Sequence, residues 1–206
     1  MDIGHVEVVR CMIDSSGGSR GEVQRRISLA RSCMNILDKR IGKSSIRLET
    51  KLRLYQTYIV PVLMYGCETW ATTKYLLSRL DAFDTLAMRT ILRIPYTRHV
   101  LNAEVRRTTG CSPLFHMVTN RRMRLFGHIA RSSPREDHHR ALASCIRQVP
   151  PDWKRPAGRP SHTWHRAIEA DLGPLNFGLA TAFRKATTRD EWRHIVDTTT
   201  LQRSTL

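Results

Sequence analysis

Arg121-Arg122-Met123-Arg124-Leu125-Phe126-Gly127-His128-Ile129-Ala130-Arg131 sets four arginines around the apolar residues Leu125, Phe126 and Ile129. Such a pattern suits an element that packs on a core while offering cations to phosphates. It forms the second half of a helix expected over residues 113–131. Downstream, Gly158-Arg159-Pro160-Ser161-His162-Thr163-Trp164 reads as a basic, proline-broken linker that enters a helix anchored by Trp164.

The rest of the chain also reads as helical, and no strand alternation persists for long. Residues 1–18 are expected to be irregular, with Ser15-Ser16-Gly17-Gly18 as a turn. Ser19 and Glu22 have capping-box spacing. The helix that follows places Val23, Ile27, Ala30, Met34 and Leu37 on one stripe, with Arg25, Arg26 and Arg31 largely off it. A helix over 50–70 is apolar nearly all round, which suits a central position in a bundle, with a kink at Pro61. Further helices are expected over 76–94, ending before Pro95, over 102–109, stopped by Gly110, and over 137–147. Pro150, Pro151, Pro156 and Pro160 prevent regular helix over 149–160. Beyond them, Ser161 can cap a helix carrying Trp164, Ala167, Ile168 and Leu172, stopped by Gly173-Pro174. A last pair follows, over 179–186 and then from Thr188, whose spacing to Glu191 repeats the capping box, through Trp192, Ile195 and Val196. The expectation is an all-α protein: a helical bundle over 1–148, a basic Pro-rich linker over 149–160, a small C-terminal helical subdomain over 161–199 and a frayed tail over 200–206.

Charge is the strongest compositional signal. The 206 residues hold 34 Lys+Arg against 18 Asp+Glu, a formal charge of +16. A field of that sign attracts polyanions, nucleic acid first and an anionic membrane second. Most of the cations are arginine, which forks onto phosphate and stacks on bases better than lysine. The five cysteines are scattered with no C-x-x-C pair, so neither a disulfide framework nor a zinc ribbon is indicated, and a reducing, intracellular compartment is expected. No charged-then-apolar leader stands at the N-terminus. The longest apolar run, 58–67, is broken by Pro61 and Gly66 and falls well short of the about 20 residues needed to span a bilayer.

Several blocks, in the same order as here, resemble the C-terminal region of reverse transcriptases from non-LTR, LINE-type retrotransposons, downstream of the polymerase palm. Ile13-Asp14-Ser15-Ser16-Gly17-Gly18-Ser19 with Arg25-Arg26-Ile27 resembles the segment just after the palm. Leu54-Tyr55, Pro61 and Tyr65-Gly66-Cys67-Glu68-Thr69-Trp70 resemble a thumb helix with a Y-G-x-E-T-W ending. Arg79-Leu80-Asp81-Ala82-Phe83-Asp84 and Arg89-Thr90-Ile91-Leu92-Arg93-Ile94 resemble the helix after it. Gly127-His128-Ile129-Ala130-Arg131, then Gly158-Arg159-Pro160 with Thr163-Trp164, resemble the region beyond the thumb. The likeness runs from about residue 13 to about residue 199. It implies a thumb-like bundle that packs along a template–primer duplex and grips it through the backbone. With no signal peptide or transmembrane segment read from the sequence, an intracellular, nuclear location is expected, and no cofactor is expected.

The chemistry of polymerisation is expected to be absent. A palm holds two divalent ions about 4 Å apart between carboxylates, which the family places in a Y-x-D-D-like motif. This chain has no Asp-Asp pair. Fingers and palm would lie before Met1, and the family's endonuclease is absent too, so the chain is expected not to polymerise alone. Asp81 and Asp84, three apart, read as the solvated face of a helix rather than a metal site. Cys111, His116, His128, His138, His139 and Cys145 lack the short paired spacings of a zinc site.

Lys154-Arg155-Pro156-Ala157-Gly158-Arg159-Pro160 resembles an AT-hook, with Ala157 at the first core arginine position; the favoured reading is an extended linker that meets phosphate nonspecifically. Trp153 is the better candidate for base stacking, because Trp164 and Trp192 lie on apolar helix faces. The residues expected to contact nucleic acid are Arg25, Arg26, Arg121, Arg122, Arg124, Arg131, Lys154, Arg155 and Arg159. No metal, small-molecule substrate or membrane partner is indicated. Two other readings stay open: a helical protein-interaction module, and a transposon reading frame without a selected role.

Overall fold

Apolar residues that recur every third and fourth position make this chain all-α. The computed structural model describes residues 5–8, 11–14, 18–42, 44–146 and 163–202. One feature departs from the expected pattern near the start. A short antiparallel hairpin pairs β1 (His5–Val8) with β2 (Cys11–Asp14), His5 opposite Asp14 and Val8 opposite Cys11. Val6, Val8 and Ile13 favour extended backbone, but four-residue strands are too short for their alternation to stand out in the sequence.

Helix α1 (Arg20–Leu37) buries Val23, Ile27, Ala30 and Met34, the stripe read from the sequence. Its capping box does not form. Ser19 Oγ instead accepts from the Ala71 amide at 2.9 Å, and Glu22 is buried against Arg26, whose Nε donates to it at 2.6 Å. The helix expected through Pro61 is divided into α2 (Leu48–Leu54), a wider π turn over Tyr55–Ile59, and α3 (Val60–Leu63). A proline ring clashes with the carbonyl four residues back. The π turn, closed by the Val60 amide on Tyr55 O, carries the extra residue that relieves the clash. The segment is also less uniformly buried than its composition suggests: Tyr55, Ile59 and Leu63 are buried, whereas Tyr58 and Tyr65 are exposed.

After α3, Gly66 takes a positive φ of 72° and turns the chain into a 3-10 turn over Cys67–Thr69. Helix α4 (Lys74–Ile91) is capped by Thr73, whose side chain accepts from the Leu76 amide, and buries Leu76, Leu80, Phe83 and Ala87. Helix α5 (Asn102–Thr109) ends on Gly110 at φ 64°, a left-handed cap. Helix α6 (Leu114–Arg131) is followed by α7 (Asp137–Ile146). Then come α8 (Trp164–Leu172), α9 (Leu179–Ala186) and α10 (Arg189–Gln202). None of the described helices is long and apolar enough to cross a membrane.

Two apolar cores result. The first joins α1 to α5 with Leu114 and Val118 of α6. The second joins Met123, Phe126 and Ala130 of α6 and Leu142 of α7 with α8, α9 and α10. The division between them therefore runs through the middle of α6. The segment 149–160, with Trp153, Lys154, Arg155 and Arg159, lies outside the described residues.

Candidate nucleic-acid interface

At 3.6 residues per turn, Arg121, Arg124, His128 and Arg131 fall within one quarter of the α6 circumference, a row about 15 Å long. Arg124 and His128 are exposed, and Arg121 and Arg131 are half-buried. Arg121 is held by a bond from Nη1 to Met64 O at 3.1 Å, and Arg131 by one from Nη1 to Ala186 O at 2.8 Å.

Alongside the C-terminal half of this row lies α10. Arg189 and Arg193, four residues apart, answer Arg124 and Arg131 across an open groove of about 320 Å³. His128, Trp192, Val196 and Asp197 complete its lining. Four guanidinium groups thus face one cleft with one carboxylate among them. The Arg131 guanidinium is pulled below its ordinary value by desolvation first and by Arg189 second. An arginine does not shed its proton in a protein, so Arg131 stays cationic beside Arg189.

Gly127 makes the groove possible. Trp192 lies directly across it and donates from Nε1 to Met123 O at 2.9 Å. A Cβ at position 127 would overlap Cδ1 and Nε1 of that indole and lie 3.0 Å from Arg131 Nη1. The indole also tilts against Phe126 at 5.3 Å between ring centroids. This close approach fixes α10 against α6 and so sets the spacing of the two arginine rows.

The arginines expected from the sequence to bind nucleic acid therefore separate. Arg121, Arg124 and Arg131 lie together on the α6 row. Arg122 points the opposite way and is 1% exposed. Its Nε donates to Asp171 Oδ2 at 2.8 Å, and its Nη1 to Trp70 O at 3.1 Å and Thr72 Oγ1 at 2.7 Å. It is a buried structural cation and cannot meet phosphate. Arg26 is buried too, paired with Glu22 and lying 4.5 Å over the Tyr65 ring. Arg25, 3.6 Å from Glu22, does not line the groove. Arg189 and Arg193 were not singled out from the sequence; their spacing of four around Trp192 carried the signal.

Asp84 corrects a second expectation. It is 1% exposed rather than solvated. Tyr55 OH donates to its Oδ1 at 2.6 Å, and Arg106 bridges it to Asp81, 2.7 Å away on the other side. Burial raises the Asp84 carboxyl above the ordinary carboxylate value, against the opposing pull of the Tyr55 and Arg106 contacts. The two carboxylates clamp an arginine of α5 onto α4.

Cys67 is buried, and desolvation pushes its thiol up to about 12, so it is unreactive near neutral pH. His138 turns to Glu136 at 2.9 Å and His139 to Ile129 O at 3.2 Å. Among the described residues no three His, Cys, Asp or Glu side chains converge to hold a metal. Trp70 and Trp192 are core residues, and Trp164 Nε1 donates to Glu68 O at 2.7 Å. Compared with protein-family models, curated proteins and solved structures, the chain matches none.

Proposed function

We propose that this chain is a non-catalytic, nucleic-acid-binding segment of the LINE-type reverse-transcriptase kind. On this reading it grips RNA or an RNA–DNA template–primer through backbone phosphates. The observation that carries it is the groove between α6 and α10, where Arg124, Arg131, Arg189 and Arg193 converge beside a fixed tryptophan. Guanidinium groups at successive helix turns suit a row of phosphates. The formal charge of +16 supplies long-range attraction to the same polyanion. Lys154, Arg155 and Arg159 add a further basic stretch along the sequence. A nuclear location accords with such a partner.

The groove reads no sequence: its lining offers charge rather than a base-specific pattern, so binding is set by phosphate and shape. Fluorescence anisotropy with labelled RNA, DNA and hybrid, at low and at physiological salt, tests the proposal. Counterion release requires affinity to fall steeply as salt rises. Absence of binding at low salt, or binding indifferent to salt, refutes it and favours the protein-interaction module. Primer extension on a primed RNA template, with magnesium or manganese present, is expected to stay at the level of a no-protein control.

A further inference from the structure

The α6 row continues beyond the groove toward Arg121, where a second opening lies. This cavity, of about 470 Å³, is lined by Pro61, Tyr65, Gly66, Glu68, Thr69 and Arg121. Its walls are held in place. Thr69 Oγ1 donates to Gly66 O at 2.8 Å, Trp164 Nε1 reaches Glu68 O, and Arg121 is tied to Met64 O. Tyr65 is 43% exposed at its mouth, and the Arg26 guanidinium lies 4.5 Å from the ring centroid. One face of the ring is thereby backed by a buried, ion-paired cation, and the ring is fixed in place with surface left open to the cavity.

We propose that this cavity takes one unpaired nucleotide of a single strand, its base stacked on Tyr65 and its phosphate on Arg121. The inference rests on the nucleic-acid reading above and narrows it to a strand with an exposed base. Three features carry it. An aromatic ring flanked by arginine is the sequence-tolerant platform on which unpaired bases stack. Arg121 has five donors, more than its bond to Met64 uses, and stands in line with Arg124 and His128, so a strand following the row reaches it. Glu68, the acidic wall, repels phosphate and steers it to the Arg121 side. A duplex keeps its bases stacked on each other and offers no free face to the ring.

The test uses the full chain and a short single-stranded RNA carrying 2-aminopurine, with a blunt duplex of the same sequence as the reference. Wild type is expected to bind the single strand with a change in 2-aminopurine emission. Tyr65→Phe keeps both. Tyr65→Ala weakens single-strand affinity about tenfold, abolishes the emission change and leaves duplex affinity unaltered. Equal losses on both probes, no loss on either, or a Phe variant as weak as Ala overturns the inference. If wild type binds neither probe, the functional reading itself fails and this one with it. If wild type binds and only the Tyr65 outcomes fail, the phosphate groove stands alone. Ultraviolet cross-linking of wild type to a 5-bromouridine strand needs no variant: an adduct on Tyr65 is expected, and its absence with binding intact overturns the proposal.

Discussion

Arg122 and Asp171 form a buried ion pair, 2.5 Å from Nη2 to Oδ2, between α6 and α8, helices that lie on either side of residues 149–160. Thr119 Oγ1 supplies the other Asp171 oxygen with a hydrogen bond at 3.2 Å. Carbonyl and hydroxyl oxygens from Trp70 and Thr72 complete the guanidinium's partners. Three pieces of chain distant in sequence are thereby tied at one point.

Removing one partner leaves an uncompensated buried charge. Arg122→Ala and Asp171→Ala are each expected to destabilise by about 3–5 kcal/mol. The double variant Arg122→Met with Asp171→Leu removes both charges together, and its loss is expected to fall well below the sum of the two single losses. Urea denaturation followed by circular dichroism measures all three.

Gly127→Ala drives a methyl group into the Trp192 indole. The bond to Met123 O is lost and α10 must shift. A destabilisation of about 1–3 kcal/mol is expected, with a red shift of tryptophan emission as the indole meets water. A variant with unchanged emission and stability would show that the α6–α10 approach is looser than described.

The groove arginines and the buried arginines are expected to respond differently. Arg124→Gln, Arg189→Gln and Arg193→Gln should each reduce the salt slope of single-strand binding by about 0.7 while preserving the fold. Arg122→Gln should act chiefly on stability. Anisotropy titrations at several salt concentrations, paired with melting curves, separate the two classes.

Asp84 gives a pH signature. Its folded value lies above its unfolded one, so the native state holds the proton more tightly. That contribution is complete below the ordinary carboxylate value and is lost as pH rises through the raised value. The stability of wild type relative to Asp84→Asn is therefore expected to decline from about pH 3 toward neutrality. Paired denaturation curves across that range test it; a difference that grows with pH would contradict the burial argument.

The helices were legible because their apolar stripes are long and regular, as in Val23, Ile27, Ala30 and Met34, or Leu80, Phe83 and Ala87. Gly110 announced the end of α5 through the backbone it alone adopts readily. Local pattern failed where a distant partner took the side chain. Ser19 and Glu22 have the spacing of a cap, yet Ala71 and Arg26 claim them. Arg121 and Arg122 are identical in type and adjacent, and only the helical phase about Met123 and Phe126 assigns one to the half-buried α6 row and the other to the core. Phase was also the clue to Arg189 and Arg193, which share the Trp192 turn with the groove.

Because α6 contributes to both cores, residues 149–160 join two halves that already share a helix and a buried ion pair. Severing the backbone there is expected to leave a non-covalent heterodimer rather than two free fragments. A chain nicked between Pro151 and Pro160 should elute as one particle from a sizing column and come apart only in denaturant. Expressed separately, the piece bearing α8 to α10 should complement the piece bearing α1 to α7. In that sense the unit of folding is set by which helix is shared, and the peptide bonds of the connecting segment are dispensable to it.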